Sequence, residues 1–294
     1  MTSPTTPPAA WTVEAVLAWA TADFRARGID TPRLDAELLL GRALQASRIA
    51  LIVDAKRVLD AAELGAFREL VKRRRERQPI AYILGEREFY GRTFRVDPRV
   101  LVPRPDTEAL VEVALERTRS LSMSARGLDL CTGSGCVAIT IARERPTSRV
   151  VATDVSAAAI DVARNNAQRL GAYNVAFLPG DLYAAVPGEW RFDLITANPP
   201  YVPSGEIADL QPEVRDHEPR AALDGGDDGM TILCRVVSGA ADRLRHGGVL
   251  AVEVGAGEST AIAARMENAG FDHVEIRRDY GRIERVVSAV LRAP

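Results

Sequence analysis

Apolar residues recur with a helical period along the first quarter of the chain. Val13, Val16, Leu17, Ala20 and Phe24 lie three or four residues apart, behind a Thr12 able to cap a helix, and Gly28 ends the stretch. A second helix is expected from Pro32, a residue suited to a first turn, and it carries Leu34, Leu38, Leu39 and Leu44. Asp60-Ala61-Ala62-Glu63 has the form of a capping box and opens a third helix expected to run to Arg77, with Pro79 beyond it. Together these helices predict a small bundle over residues 11–84.

The period then shortens. Residues 87–96, REFYGRTFRV, alternate about Gly91 as a hairpin does. In the following LVPRPDTEAL, Asp106 or Thr107 can cap another helix. From Arg126 onward, apolar runs at 126–130, 149–153, 174–178, 191–197, 248–254, 272–277 and 284–291 read as strands, with helical stretches between most of them. Such alternation predicts an α/β fold, a parallel sheet with helices on both faces. The expected organisation is a tail over 1–10, a helical domain over 11–84, a hairpin linker over 85–105 and an α/β domain over 106–294.

Composition narrows the partners. A formal net charge of -2 gives no global pull toward nucleic acid or anionic membrane. Cys131, Cys136 and Cys234 form no C-x-x-C pair, which argues against a disulfide framework or a zinc site and fits a reducing cytosol. Residues 1–10, rich in Pro and Thr, read as a disordered tail without the pattern of a signal peptide. No apolar run approaches the ~20 residues that span a bilayer.

Candidate chemistry gathers at the ends of the expected strands. Gly133 and Gly135 in LDLCTGSGCVAITIA lie between a strand and a helix, where glycines let a backbone turn sharply and bring helix N-terminal amides to a ligand. Asp154 ends the next strand, where an acid can accept hydrogen bonds from ribose hydroxyls. Asp129 stands just before the glycine loop. A carboxylate there would repel a pyrophosphate and attract the ammonium end of a methionine moiety, which favours S-adenosylmethionine over NAD. Asp181 follows the third strand near the expected place of an adenine, with Leu182 able to pack against the base.

The fourth strand ends in Asn198-Pro199-Pro200-Tyr201. Neither proline can donate to a ladder. Asn198 offers a side-chain oxygen and Pro199 a carbonyl, and Pro200 holds Pro199 extended, so the strand end presents two rigid acceptors and a ring. Two acceptors suit a planar –NH2 group. Held off the amide plane, they favour a more tetrahedral nitrogen and expose its lone pair to a sulfonium methyl, with alignment and electrostatics supplying the rest. Tyr201 can stack on the flat group and tolerate the neighbouring cation.

These residues resemble a class I S-adenosylmethionine-dependent methyltransferase acting on an amino group. Asn-Pro-Pro-Tyr is common to adenine-N6 and glutamine-N5 enzymes. The segments GIDTPRLDAELLL, PIAYILGEREFYG, VDPRVLVPRPDTEALVE, VRDHEPRAALDGGDDG and RDYGRIERVV are similar to the HemK/PrmC family of release factor glutamine methyltransferases, over nearly the whole chain after Ala10. The resemblance implies a Rossmann-like sheet, parallel with an antiparallel edge hairpin, preceded by a helical substrate-recognition domain and a hairpin linker. It implies N5-methylation of the glutamine in the Gly-Gly-Gln motif of class I peptide chain release factors in the cytoplasm, without direct contact to nucleic acid or membrane and without a metal. It puts the cofactor against Cys131, Thr132, Gly133, Ser134, Gly135, Asp154, Leu182 and Asn198, joining Asp129 and Asp181, and the glutamine amide against Asn198, Pro199, Pro200 and Tyr201. Cys131 departs from the family, many of whose members have glycine there. That spelling also occurs in a sister family acting on a ribosomal protein, which makes a ribosomal-protein glutamine the alternative substrate, ahead of DNA adenine.

Four further features have plain readings. The basic run VKRRRERQ, with its cations at 72–77, is expected to be a solvated helix end, or else a contact for an acidic face of the release factor. Arg104 is expected either to position the cofactor-side helix or a substrate backbone, or to stand at a helix start paired with Glu108. His217 is expected to be structural or exposed, because the chemistry needs no histidine base. Residues 202–228 are long for a structureless loop and are expected to shape the substrate entrance.

Overall fold

Thr12 caps the first helix, its hydroxyl accepting the Ala15 N–H at 3.3 Å. The computed structural model describes residues 10–119 and 124–293, so the tail expected over 1–10 lies, apart from Ala10, outside the described residues. The chain divides into two units, residues 1–84 and 85–294.

The first unit is helical: α1 Val13–Ala26, α2 Pro32–Leu44, α3 Arg48–Val53, α4 Ala61–Arg75 and α5 Ile80–Leu84. Both bonds of the Asp60/Glu63 capping box are present at the start of α4. The apolar stripe of α1 meets Leu39, Leu40, Phe67 and Val71 in a core of its own. Helices α3 and α5 were not legible as periods, being six and five residues long. The basic run is only partly a solvated helix end: Lys72 is exposed, while most of its arginines are engaged within the unit. Arg74 is buried and bonds Asp35 at 2.7 Å. Arg75 bonds Asp23 and lies 5.2 Å from the Trp19 ring centroid. Arg73 donates to Gln78 and the Tyr82 carbonyl, and Arg77 to the carbonyls of Arg27 and Gly28. These guanidiniums tie α4 to α1, α2 and α5, a use of arginine's fork of donors that a sequence shows only as charge.

The second unit opens with an antiparallel hairpin, β1 Glu86–Phe89 and β2 Arg92–Arg95. Phe89 and Phe94 are buried in this unit's core, edge to face at 6.0 Å. A 3-10 turn, Pro105–Thr107, leads into α6 Glu108–Arg117. There follow β3 Arg126–Leu130, α7 Cys136–Glu144, β4 Arg149–Asp154, α8 Ala157–Leu170, β5 Val175–Pro179, β6 Phe192–Ala197, α9 Pro212–His217, α10 Thr231–Ala240, β7 Leu244–Glu253, α11 Ser259–Asn268, β8 Phe271–Arg278 and β9 Glu284–Leu291. The seven expected strands all form, and β7 begins at Leu244 rather than at 248.

Strand order is β5-β4-β3-β6-β7-β9-β8. The first five are parallel, and β9 runs antiparallel to both β7 and β8. Alternate residues serve opposite faces. Val249 and Ala251 of β7 face α6, α7 and α8, whereas Leu250 and Val252 face α10 and α11. The chain leaves β3 for β4 on one side and later returns to its other side as β6. That reversal opens a crevice at the carboxyl ends of β3 and β6, the usual ligand position in such sheets.

Candidate active site

The crevice holds a cavity of about 470 Å³. Its wall includes Asp129, Cys131, Thr132, Gly133, Ser134, Asp154, Asp181, Leu182, Asn198 and Pro200, which the fold gathers from four strand ends. Gly135, Pro199 and Tyr201 adjoin these residues in the chain and are not themselves part of the lining.

The glycine loop is held from both sides. Thr132 N–H bonds the Thr153 carbonyl at 3.0 Å, and Gly133 N–H bonds Asp154 Oδ2 at 2.8 Å. The other Asp154 oxygen accepts the Ser156 N–H at 2.9 Å, while Ser156 caps α8. Asp154 thus joins β4, the loop and the start of α8, and burial raises its pKa. Gly135 has φ +82°, and a Cβ there would lie 2.8 Å from Ile139 Cδ1 and 3.1 Å from Ala163 Cβ. Cys131 itself has φ +57°, in the left-handed region that favours glycine. Burial, then the charges of Asp154 and Asp129, push its thiol pKa up, so it is not a nucleophile.

Asp129 is 2% exposed. Its oxygens accept the Thr132 hydroxyl at 2.6 Å and the Thr196 hydroxyl at 2.7 Å. Burial outweighs those bonds and pushes its pKa up to about 6. Asp181 is half exposed and paired with Arg235 at 2.6 Å, and Arg235 also faces the cavity. Leu182 is buried with φ +47°, its side chain against the cavity.

Asn198 donates from Nδ2 to Thr107 Oγ1 at 3.1 Å. Thr107 therefore does not cap α6 with its side chain, as the sequence suggested, but serves the β6 end. Tyr201 is largely buried, its hydroxyl 3.5 Å from Glu253 Oε1. Arg104 pairs not with Glu108 but with Glu218, at 2.7 Å, and Glu218 also accepts the Val102 N–H at 3.2 Å. Glu108 instead accepts the Tyr90 N–H at 2.9 Å. Glu218, its side chain 1% exposed, pins segment 202–228 to the Val102–Arg104 stretch, and Pro219, Ala222 and Asp224 of that segment line the cavity. His217, in α9, is half-buried and absent from the cavity wall.

Sequence reasoning missed Thr107, Glu218, Glu253 and Asn166. Asn166 is fully buried on α8, bonding the Ser134 carbonyl at 3.0 Å and both backbone groups of Arg95, so it joins the hairpin to the glycine loop. A polar residue on an otherwise apolar helix face was the available signal.

The family described as the PrmC N-terminal domain matches residues 15–85, and that described as the Methyltransferase small domain matches residues 105–211. The curated release factor glutamine methyltransferase of Geobacter sulfurreducens is 42% identical over 280 residues, covering 95% of this chain and 97% of its own. That of Bordetella pertussis is 43% identical over 260 residues, covering 88% and 95%. A methyltransferase of solved structure from Pyrococcus furiosus has a TM-score of 0.52 at 21% identity over 70% of this chain and 91% of its own, a likeness of fold. Identity at the level of the curated relatives, sustained over nearly the full length of both partners, means that the protein belongs to the release factor glutamine methyltransferase family.

Proposed function

We propose that the protein methylates the side-chain amide nitrogen of the glutamine in the Gly-Gly-Gln motif of class I peptide chain release factors, in the cytoplasm, with S-adenosylmethionine as donor. The cavity's donor set suits that cofactor: a buried acid at the end of β3, a second acid at the end of β4, and an apolar wall at Leu182 and Ile232. Asp129 would meet the ammonium group, Asp154 the ribose hydroxyls and Leu182 the base, with Cys131, Thr132, Gly133, Ser134 and Gly135 forming the loop around it. When bound, S-adenosylmethionine supplies an electrophilic methyl on a sulfonium.

The chain's own part is positional. Asn198 has its nitrogen end engaged by Thr107, which leaves Oδ1 as the acceptor for one amide hydrogen of the substrate. The Pro199 carbonyl is the second acceptor. Two fixed acceptors orient the nitrogen toward the methyl and stabilise the cation formed on attack. The methylated nitrogen is acidic and sheds its proton to solvent. Tyr201 packs, partly buried, against the apolar cluster on one face of the sheet. The release factor is the partner in this reading.

The single observation that carries the reading is Asn198 at the cavity wall with its nitrogen already engaged. Asn198→Ala should leave S-adenosylmethionine affinity within about twofold while lowering kcat on purified release factor by a factor of about 100 or more. Mass spectrometry of the Gly-Gly-Gln peptide and a calorimetric titration read the two quantities. Equal loss of both would assign Asn198 to the fold instead.

A further inference from the structure

We propose that Glu253, acting through Thr107, is a positioning residue that fixes which end of the Asn198 amide faces the substrate. The inference rests on the functional reading above and deepens it. An asparagine amide and a threonine hydroxyl can pair in either sense. The amide can donate to the hydroxyl oxygen, or the hydroxyl can donate to the amide oxygen. Only the first leaves Oδ1 for the substrate, so the active arrangement requires Thr107 to send its single hydrogen elsewhere.

Glu253 is the group able to take it. It ends β7, beside the end of β6, and is 1% exposed. Thr107 is 2% exposed, so water offers its hydroxyl little competition. The hydroxyl favours the ionised form of Glu253, as a donor does. Glu253 Oε1 faces the Tyr201 hydroxyl at 3.5 Å, while the buried Oε2 has no hydrogen-bond partner of ordinary length and is the acceptor left open. Burial pushes Tyr201 up to about 12, with the Glu253 charge adding to it, so tyrosine is a donor at every working pH. An ionised carboxylate accepts only. With both neighbouring hydroxyls as donors, the order runs one way: Asn198 N–H to Thr107 oxygen, Thr107 O–H to carboxylate. A protonated Glu253 can donate to Thr107 and removes that direction.

The charged and titratable groups around Glu253 come from four elements. Arg285 of β9 favours its charged form, and Asp106 in the 3-10 turn opposes it. Tyr201 follows β6, and the Cys136 thiol of α7, itself pushed up to about 12 chiefly by burial, feels the Glu253 charge. Burial exceeds the favourable contributions and pushes Glu253 up to about 7. The sign follows: the acceptor-only form exists above that pH and is lost below it. Turnover at saturating cofactor should therefore fall on the acid side of about pH 7 by roughly tenfold per unit. Asp129, whose pKa is pushed to about 6, faces the cofactor end of the cavity, so its titration moves cofactor affinity rather than kcat.

The experiment compares wild-type enzyme with Glu253→Gln, Thr107→Val and Thr107→Ser. Methyl transfer to purified release factor is measured at saturating S-adenosylmethionine from about pH 5.5 to about pH 9, with cofactor Kd by calorimetry and Tm alongside. Glutamine keeps an N–H donor at every pH, so Glu253→Gln should show the low-pH rate of the wild type throughout, about tenfold or more below its plateau, with no acid limb. Thr107→Val, nearly isosteric, should lose a similar factor and the same limb, because the carboxylate no longer reaches the amide. Thr107→Ser should restore both. All three should bind cofactor within about twofold of wild type, a readout that a merely structural role would shift. If the acid limb and the plateau survive Glu253→Gln and Thr107→Val, or serine fails to restore what valine removes, the relay is overturned. A wild-type enzyme that binds cofactor yet leaves release factor unmethylated overturns the functional reading first, and the relay with it.

Discussion

At the scale of single residues, the cavity is built against the grain of stability. Asp129 is nearly buried, and its pKa near 6 lies above the ordinary carboxylate value, so at neutral pH the folded state carries a charge that burial disfavours. Its contribution to stability is full below the unfolded pKa and disappears as pH rises through about 6. Removing the charge should therefore help the fold and harm the site. Asp129→Asn keeps an oxygen for one of the two threonine hydroxyls and should raise stability at pH 8 by about 1–3 kcal/mol, a gain that shrinks as pH falls through 6 and is gone near pH 4. The same substitution should weaken S-adenosylmethionine affinity about tenfold or more at pH 8, because the ammonium loses its counter-charge. Denaturant melts and titrations at both pH values check the pair. A variant that loses stability at pH 8 would show that the two threonine bonds outweigh the burial of charge. Cys131 belongs to the same account: φ +57° is a conformation in which a side chain is strained, and it lies on the loop that wraps the proposed cofactor.

Among elements, the Asn-Pro-Pro-Tyr turn depends on a segment far along the chain. Gly229 has φ +77°, and a Cβ on it would stand 2.5 Å from the Tyr201 carbonyl oxygen and 2.9 Å from Glu258 Oε1. Nearby, the Val202 N–H donates to the Leu223 carbonyl, the Val202 carbonyl accepts the Gly225 N–H, and the Ser204 hydroxyl donates to Asp224. Gly229→Ala should therefore displace the turn, costing about 2–4 kcal/mol in stability and about tenfold or more in kcat. Gly188→Ala, with nothing within 4 Å of its Cβ, should stay within about 0.5 kcal/mol of wild type. Thermal melts and turnover on release factor separate the two, and equal behaviour would mean the backbone around Gly229 yields freely. This dependence also marks what was legible in advance. Strand ends, glycine loop and the Asn198 turn were readable because β-periodicity and two prolines are local signals. The partners of those residues were not. Thr107 looked like a cap, Glu108 like a mate for Arg104, and Glu253 lay unremarked inside the apolar run 248–254. Each is defined by a contact across the sheet or between segments, as Glu218 is with Arg104 and Val102, and no local pattern encodes such pairings. The arginine run misled for the same reason, since charge is visible in a sequence and its partner is not.

On the scale of the whole molecule, the division of labour follows from where the cavity residues lie. Every residue of the cavity wall falls between Arg99 and Arg235, within the unit spanning 85–294. The helical unit has its own apolar core, from Val13 and Phe24 to Phe67 and Ile83. The hairpin belongs with the second unit, since Phe89 and Phe94 fill its core and Asn166 bonds Arg95. A chain beginning at Gly85 thus retains the hairpin, the full sheet and every group proposed to hold S-adenosylmethionine. Its cofactor Kd should stay within about threefold of the intact protein. Methylation is a different demand, because a protein substrate must present one glutamine to Asn198, and remote binding energy lowers the barrier at the reacting atom. If the helical unit is the substrate-recognition part, its removal should lower kcat/KM on whole release factor by a factor of about 100 or more while a short Gly-Gly-Gln peptide, slow with both proteins, reacts at nearly the same rate with either. Retention of full activity on the whole factor would assign recognition to the catalytic unit alone. Loss of cofactor binding together with activity would show instead that residues 1–84 are needed to fold the sheet.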